Sequence, residues 1–271
     1  MSKERNDTLL IIPAYNEGMN IGKVLNGLID AGLNKKMDIL VINDGSSDDT
    51  SERAREAEGI IVLDQIYNMG YGAALQTGYK YAVEKDYSYL IQMDADGQHD
   101  LVNVERILAR LKGESGPSGL PPHESVHLEE DRLPDIIIGS RFLKGSQTFK
   151  ISGLKKFAIG LFKKVITTLT GYRLTDPTSG LHGLNRRAFE YYAGYSNFDI
   201  YYPDLNMIIQ MILLGYHIEE IPAVMHEREA GVSMHSSLLK AGKYMLIMAI
   251  STSNSYARYH REFKKRRKAN R

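Results

Sequence analysis

Tyr89-Leu90-Ile91-Gln92-Met93-Asp94-Ala95-Asp96 decides the fold. A short, mostly apolar run bounded by turn chemistry reads as a buried strand. Two carboxylates, two residues apart, leave its carboxyl end. Acids so placed aim at one cation and its bound phosphate, because hard divalent ions favour one or two carboxylates plus phosphate oxygens. A plainer reading stands beside it, in which Asp94 and Asp96 form a polar turn capping the next helix.

Working outward, the same punctuation recurs. Leu9–Pro13, Asp38–Asn43 and Gly59–Leu63 read as strands before this one, and Asp135–Gly139 and Ile218–Val224 as strands after it. Between them, apolar residues fall at helical spacing, as in Ile21, Val24, Leu25, Leu28 and Ile29. Helices are expected over Asn20–Leu33, up to about Glu58, over Gly72–Lys85, Leu101–Leu111, Lys150–Thr170, Asp204–Leu214 and Ser236–Tyr259. Strands alternating with helices of this length predict an α/β fold, a mostly parallel central sheet flanked by helices on both faces. Such sheets bind ligands beyond the carboxyl ends of their strands, which is where the polar clusters fall.

The 271 residues, 43% hydrophobic and 25% charged with a net charge of +1, suit one large domain with at most a small appendage. Cysteine is absent, which excludes disulfides, iron–sulfur clusters, thiolate zinc sites and a cysteine nucleophile. The polar start, Met1–Asp7, has no apolar core of a signal peptide, and no apolar run reaches the roughly 18 residues of a spanning helix. A cytoplasmic location is therefore expected. Lys112–Pro134, rich in glycine and proline, reads as a long flexible loop, either a tolerated insertion or an active-site lid.

Several strand ends carry ligand chemistry. In Pro13-Ala14-Tyr15-Asn16-Glu17, Tyr15 is suited to pack on a nucleobase and Glu17 to accept a hydrogen bond. Asp44, opening Asp44-Gly45-Ser46-Ser47-Asp48, reads equally as a ribose or base acceptor and as a helix cap. Asn68-Met69-Gly70 permits close backbone approach, but it is not the dinucleotide fingerprint, and no P-loop is present.

Those segments, together with Asp94-Ala95-Asp96-Gly97-Gln98-His99 and Gly139-Ser140-Arg141-Phe142, stand in the order and spacing of family 2 glycosyltransferases. Over about residues 8–235 the chain resembles the dolichyl- and polyprenyl-phosphate sugar synthase branch. The resemblance implies a GT-A fold, a nucleotide-diphosphate sugar donor with UDP favoured, and Mg²⁺ or Mn²⁺. By position, Pro13, Tyr15, Glu17 and Asp44 would hold base and ribose, joined on the donor side by Asn68, Gly70, Asp94 and Gln98. Asp96 and Asp94 would take the metal. Arg141 would face a phosphate, for which its planar fork is suited.

The second half would supply the acceptor side. Thr175–Leu181 resembles the family's Asp-x-x-Ser-Gly segment, which brings in Asp176 and Ser179. Asp204 matches the acidic acceptor-side position, and with Asp176 and Arg141 it completes the implied catalytic set. Inverting transfer to a sugar hydroxyl needs a general base; a lipid phosphate oxygen is already anionic, and Asp204 would then orient groups. Arg228 and Ser233 match a closing Arg-x-x-Gly-x-Ser pattern, although Met234 replaces the usual basic residue. His99 and His182 read as hydrogen-bonded structural residues.

The expected organisation is a glycosyltransferase domain over residues 1–235 and a C-terminal helix with a basic tail over 236–271. Tyr244–Ile250 is too short to span, and Arg258, Arg261, Lys264, Lys265, Arg266, Arg267, Lys268 and Arg271 follow it. That pairing suits peripheral attachment to the anionic inner face of a cell membrane; the alternative is a core-packed helix with a solvated tail. No nucleic-acid motif accompanies the basic run. The acceptor is expected to be a polyprenyl phosphate, with a cell-surface glycan second. A sugar-1-phosphate nucleotidyltransferase would carry Gly-x-Gly-x-Arg where Pro13–Glu17 stands. A noncatalytic nucleotide-sugar-binding membrane adaptor would have no need of Asp204.

Overall fold

The alternation of apolar residues along the first strand organises the molecule. The computed structural model describes residues 6–114, 132–149, 153–227 and 238–269. In β1 (Thr8–Ala14), Leu9 and Ile11 join one hydrophobic cluster while Leu10 and Ile12 join another on the opposite face. The neighbouring β2 (Asp38–Asn43) repeats the division, with Leu40 and Ile42 on one side and Ile39 and Val41 on the other. Successive side chains of a strand point to opposite faces, so a strand apolar at every position must be covered twice.

Five further strands complete the sheet: β3 (Ile60–Asp64), β4 (Tyr89–Gln92), β5 (Ile136–Ser140), β6 (His182–Asn185) and β7 (Ile218–Pro222). Their order is β3-β2-β1-β4-β6-β5-β7. β6 runs antiparallel to β4 and β5, and all other pairings are parallel. The helices are α1 (Gly18–Asp30), α2 (Thr50–Glu56), α3 (Tyr71–Glu84), α4 (Val102–Lys112), α5 (Gly153–Thr170), α6 (Arg186–Ala193), α7 (Leu205–Leu214) and α8 (Leu238–Ala269). α1 and α4 cover one face, and α3, α5, α6 and α7 cover the other. This is a GT-A-like α/β fold.

Three features depart from the sequence expectation. β6 and α6 were not anticipated, because His182-Gly183-Leu184-Asn185 offers only one large apolar residue. Gly183 is needed there, since a Cβ would sit 2.2 Å from Ile107 of α4. The last helix runs to Ala269, ten residues past its expected end. Arg266 fixes that extension by donating to the carbonyls of Leu213 and Leu214, the unsatisfied carboxyl end of α7. α8 also joins the main core through Met248, so its first half is packed while its outer face remains in water. β7 stops at Pro222, and Val224 forms only an isolated bridge to Gln147. Most of the expected 112–134 loop lies outside the described residues, and with it the question of a lid. Among the described residues no helix is long and apolar enough to cross a membrane.

Candidate active site

The carboxyl ends of β1, β2 and β4 meet on one edge of the sheet, and the residues expected on the donor side gather there. Asp44 follows β2 directly and is buried. Its two carboxylate oxygens accept from the backbone N–H groups of Met69 and Gly70, each at 2.8 Å. Gly45, at φ +66°, lies so close to the same loop that a Cβ would be 2.5 Å from the carbonyl carbon of Tyr67. Asp44 thus ties the loop before α3 to the end of β2. It does not cap α2; near that helix end Asp48 instead accepts from the N–H groups of Thr50 and Gly18.

The turn after β1 is held to this group. Asn16 donates its N–H to Ser46 Oγ and accepts from the N–H of Ser47, while the N–H of Glu17 donates to Thr50 Oγ1. The Glu17 carboxylate accepts from Asn20 at 2.6 Å. Pro13 pairs with Ile42 inside the sheet, and Tyr15 just beyond it is 48% exposed, an aromatic face presented to solvent at a strand end. Asn68 is exposed, and Gly70 holds φ +98°. The structure therefore brings Pro13, Tyr15, Glu17, Asp44, Asn68 and Gly70 to one side of the edge.

Asp94 occupies the middle. Its Oδ1 accepts from the Tyr71 hydroxyl at 3.0 Å, and its Oδ2 lies 3.8 Å from Nε2 of His99. Burial pushes this carboxyl up, but His99 and Tyr71 outweigh it and hold Asp94 below the usual carboxylate range. A Cβ on Gly180 would be 2.3 Å from Asp94 Oδ2, so only glycine lets the segment entering β6 pass beside it. Asp96 Oδ1 accepts from the N–H of Gln98 at 3.0 Å in a turn made by Gly97 at φ +73°. The Gln98 side chain donates to the His226 carbonyl. Asp94, Asp96, His99, Met93, Asn20 and Lys23 line a cleft against α1.

Among the described residues no cluster of three or more acidic, cysteine or histidine side chains forms a self-sufficient metal cage. Two neighbouring carboxylates, one kept ionised by its surroundings, are the donor set of a divalent ion that takes its remaining ligands from a diphosphate and water. The residues present fit that kind of ion.

Two members of the implied catalytic set, Arg141 and Asp176, are paired with each other. Asp176 is fully buried, and Arg141 nearly so. Arg141 donates through Nε at 2.6 Å and Nη2 at 2.7 Å to the two oxygens of Asp176, with its own N–H adding a third bond. Nη2 also reaches Thr178. Glu220, whose carboxyl is pushed up by burial, accepts from the N–H groups of Thr175 and Asp176 at 2.6 and 2.7 Å. Arg141 and Asp176 therefore brace the loop between α5 and β6. Ser179, also buried, accepts from the Leu181 N–H. Arg228 and Ser233 lie outside the described residues.

Asp204 stands at the start of α7, and its Oδ2 accepts from the Tyr244 hydroxyl of α8 at 2.7 Å. The Tyr71 phenol is raised well above its ordinary value by burial and by the charges of Asp94 and then Asp204. Tyr71 thus bonds Asp94 and also feels the charge of Asp204. The intervening loop is fixed by Asp199, which accepts from the N–H groups of Tyr201 and Tyr202, from Asn206 and from Ser251 of α8. Gly72 makes room for it, since a Cβ there would be 2.5 Å from the Ile200 carbonyl oxygen.

His182 enters beside Asp94, held down to about 4 by burial and hence neutral at pH 7. One ring nitrogen of His182 and one of His99 are buried without a hydrogen-bond partner among the described residues. Sequence reading missed Tyr71, Tyr244 and Asp199. Tyr71 stood inside the Asn68–Gly72 turn, where its exposure of a phenol to Asp94 left no periodic mark.

The profile of the family described as Glycosyl transferase family 2 matches residues 9–192, and the chain belongs to that family. Undecaprenyl-phosphate mannosyltransferase of Micrococcus luteus is 30% identical over 238 residues, 84% of this chain and 87% of that protein. Glucosyl-3-phosphoglycerate synthase from Mycobacterium tuberculosis, solved with Mn²⁺, UDP-Glc and phosphoglyceric acid, superposes with a TM-score of 0.62 at 16% identity, covering 94% of this chain and 80% of that one. A mannosyltransferase from Pyrobaculum calidifontis, in complex with GDP-Man and Mn²⁺, gives 0.57 at 15% identity, covering 90% and 63%.

Proposed function

We propose that this glycosyltransferase moves a sugar from a nucleotide diphosphate, UDP favoured, to a polyprenyl phosphate with inversion. The observation that carries this reading is the gathering of Tyr15, Asp44, Asp94 and Asp96 at the carboxyl ends of β1, β2 and β4, with Asp94 fixed by Tyr71. Tyr15 offers its ring to the base, and Asp44 with Glu17 forms the polar floor beside the ribose. Asn68, Gly70 and Gln98 line the donor. Asp96 and Asp94 would hold Mg²⁺ or Mn²⁺, which when bound offsets the charge that develops on the departing diphosphate.

In the transfer an acceptor phosphate oxygen forms a bond to the anomeric carbon. The bond from that carbon to the diphosphate oxygen breaks on the opposite face, and the nucleoside diphosphate leaves with the electron pair. A phosphate oxygen brings its own charge and needs no base. Asp204, held by Tyr244, orients the acceptor side, to which the Asp-x-x-Ser-Gly resemblance also assigns Ser179. The name of the Micrococcus luteus relative supports a polyprenyl phosphate acceptor, and a lipid acceptor in turn supports work at the inner face of a membrane. Residues 1–235 form the transferase unit in this reading, and α8 with its basic end serves as its attachment.

The test is transfer of radiolabel from UDP- and GDP-sugars to a polyprenyl phosphate, with Mn²⁺ or Mg²⁺. The expected result is an organic-soluble labelled product that depends on the acceptor and the metal. Donor consumption without lipid product from any sugar nucleotide would overturn the acceptor assignment, and label in a glycan would replace it.

A further inference from the structure

The charge of this chain is strongly divided. α8 carries nine Lys and Arg against the single acid Glu262, within a chain that holds 34 bases and 33 acids, so the remainder has seven more acids than bases. The helix is 32 residues long, about 48 Å at the usual rise. Its buried side, with Met248 and Thr252 in the interior and Arg266 on the end of α7, faces the protein.

On the opposite side, at helical spacing, lie Lys243, Leu246, Ile250, Arg261 and Lys264, continued by Lys265 and Lys268. Leu246 and Ile250 are 63% and 62% exposed. None of these bases forms an ion pair with a described residue. The stripe is therefore apolar in its first half and basic in its second, and the apolar half adjoins Tyr244, which holds Asp204. α5 packs beside it through Phe162 and Tyr244, with ring centres 6.3 Å apart, and exposes Phe157 and Leu161.

We propose that this outer stripe of α8 is the surface by which the protein lies on an anionic lipid bilayer. The inference rests on the polyprenyl phosphate reading and names the face that would meet the acceptor's membrane. Complementary charge selects a polyanion, and the exposed leucine and isoleucine on the same stripe select lipid over nucleic acid, whose phosphates offer no apolar layer beneath. Leu246 and Ile250 enter the acyl boundary, while the basic half lies along the head groups. Asp204, bonded to Tyr244 on the inner side of the same helix, then stands one helix away from the lipid.

The test is co-sedimentation of the full chain, without sugar nucleotide, with vesicles of equimolar phosphatidylglycerol and phosphatidylcholine or of phosphatidylcholine alone. Each basic side chain near an anionic surface strengthens binding about fivefold. The wild type is expected on the mixed vesicles only, and Lys264→Glu/Lys265→Glu/Lys268→Glu is expected to weaken it at least about a hundredfold. Leu246→Glu/Ile250→Glu should also release the protein, and Tyr195→Glu, at a 92% exposed site elsewhere, should not. Circular dichroism checks that each variant is folded. Equal binding to neutral vesicles, no binding to either, or a Leu246/Ile250 variant that still binds while oligonucleotide displaces it would each overturn the proposal. Transfer to a short-chain, water-soluble polyprenyl phosphate without vesicles separates the two readings. Stripe variants should retain that transfer, whereas its absence in wild type would count against the function and leave the binding result standing.

Discussion

Tyr244 donates to Asp204, and that bond joins α8 to the start of α7 across forty residues of sequence. A carboxylate at a helix start has water and backbone N–H groups as competing partners, so a phenol fixing one oxygen narrows where the other can point. On the proposed reading, Asp204→Asn lowers transfer by at least about a hundredfold, while Tyr244→Phe, which leaves the charge in place, lowers it by about tenfold. Neither change should weaken nucleotide binding measured by calorimetry. Equal losses of binding and turnover would remove Asp204 from the acceptor side. At this scale the sequence was informative for residues whose setting is local. Asp94 and Asp96 follow an apolar run, and Asp44 follows another. It was silent on Tyr71 and Tyr244, because periodicity reveals that a helix has a buried face but not which loop that face meets.

The buried pair Arg141–Asp176 belongs to the element scale. Both stand in segments typical of the family, and the resemblance implies catalytic roles for both. The fold closes them on one another, with Glu220 of β7 holding the backbone of the same loop. Removing one partner of such a pair leaves an uncompensated buried charge, at a cost of roughly 3–5 kcal/mol. Asp176→Ala is therefore expected to lower unfolding stability by about that amount in a denaturant titration. A variant of unchanged stability with lost activity would instead give Asp176 a direct chemical role. The strands and helices of the first half were legible because each is long and uniformly patterned. β6 was not, since its burial comes from lying between β4 and β5 rather than from its composition. Its antiparallel course brings Gly180 and His182 to the active edge.

At the scale of the whole molecule, a neutral total conceals an acidic body and a basic helix bound to each other at both ends. Tyr244 fixes one end of α8 at Asp204, and Arg266 fixes the other at the carboxyl terminus of α7. Composition announced the basic segment but placed its helix end too early. The extension is stabilised by Arg266, whose partners are backbone carbonyls that no side-chain pattern records. On the proposed reading the sheet edge faces two chemistries, a nucleotide side built on β1, β2 and β4 and an acceptor side built on the loop before α7.

The central claim is that Asp94 and Asp96 bind a nucleotide diphosphate together with a divalent ion. Thermal unfolding of the wild type and Asp96→Asn with UDP, GDP, CDP or dTDP, each with and without Mn²⁺, tests it most directly. A ligand that binds only the native state, at about 100 times its dissociation constant, adds about 2.7 kcal/mol of stability. The account predicts a rise in the wild-type midpoint that requires both one nucleotide and Mn²⁺, with UDP favoured, and its loss in Asp96→Asn. A shift of equal size without the metal, or one that survives Asp96→Asn, would contradict it.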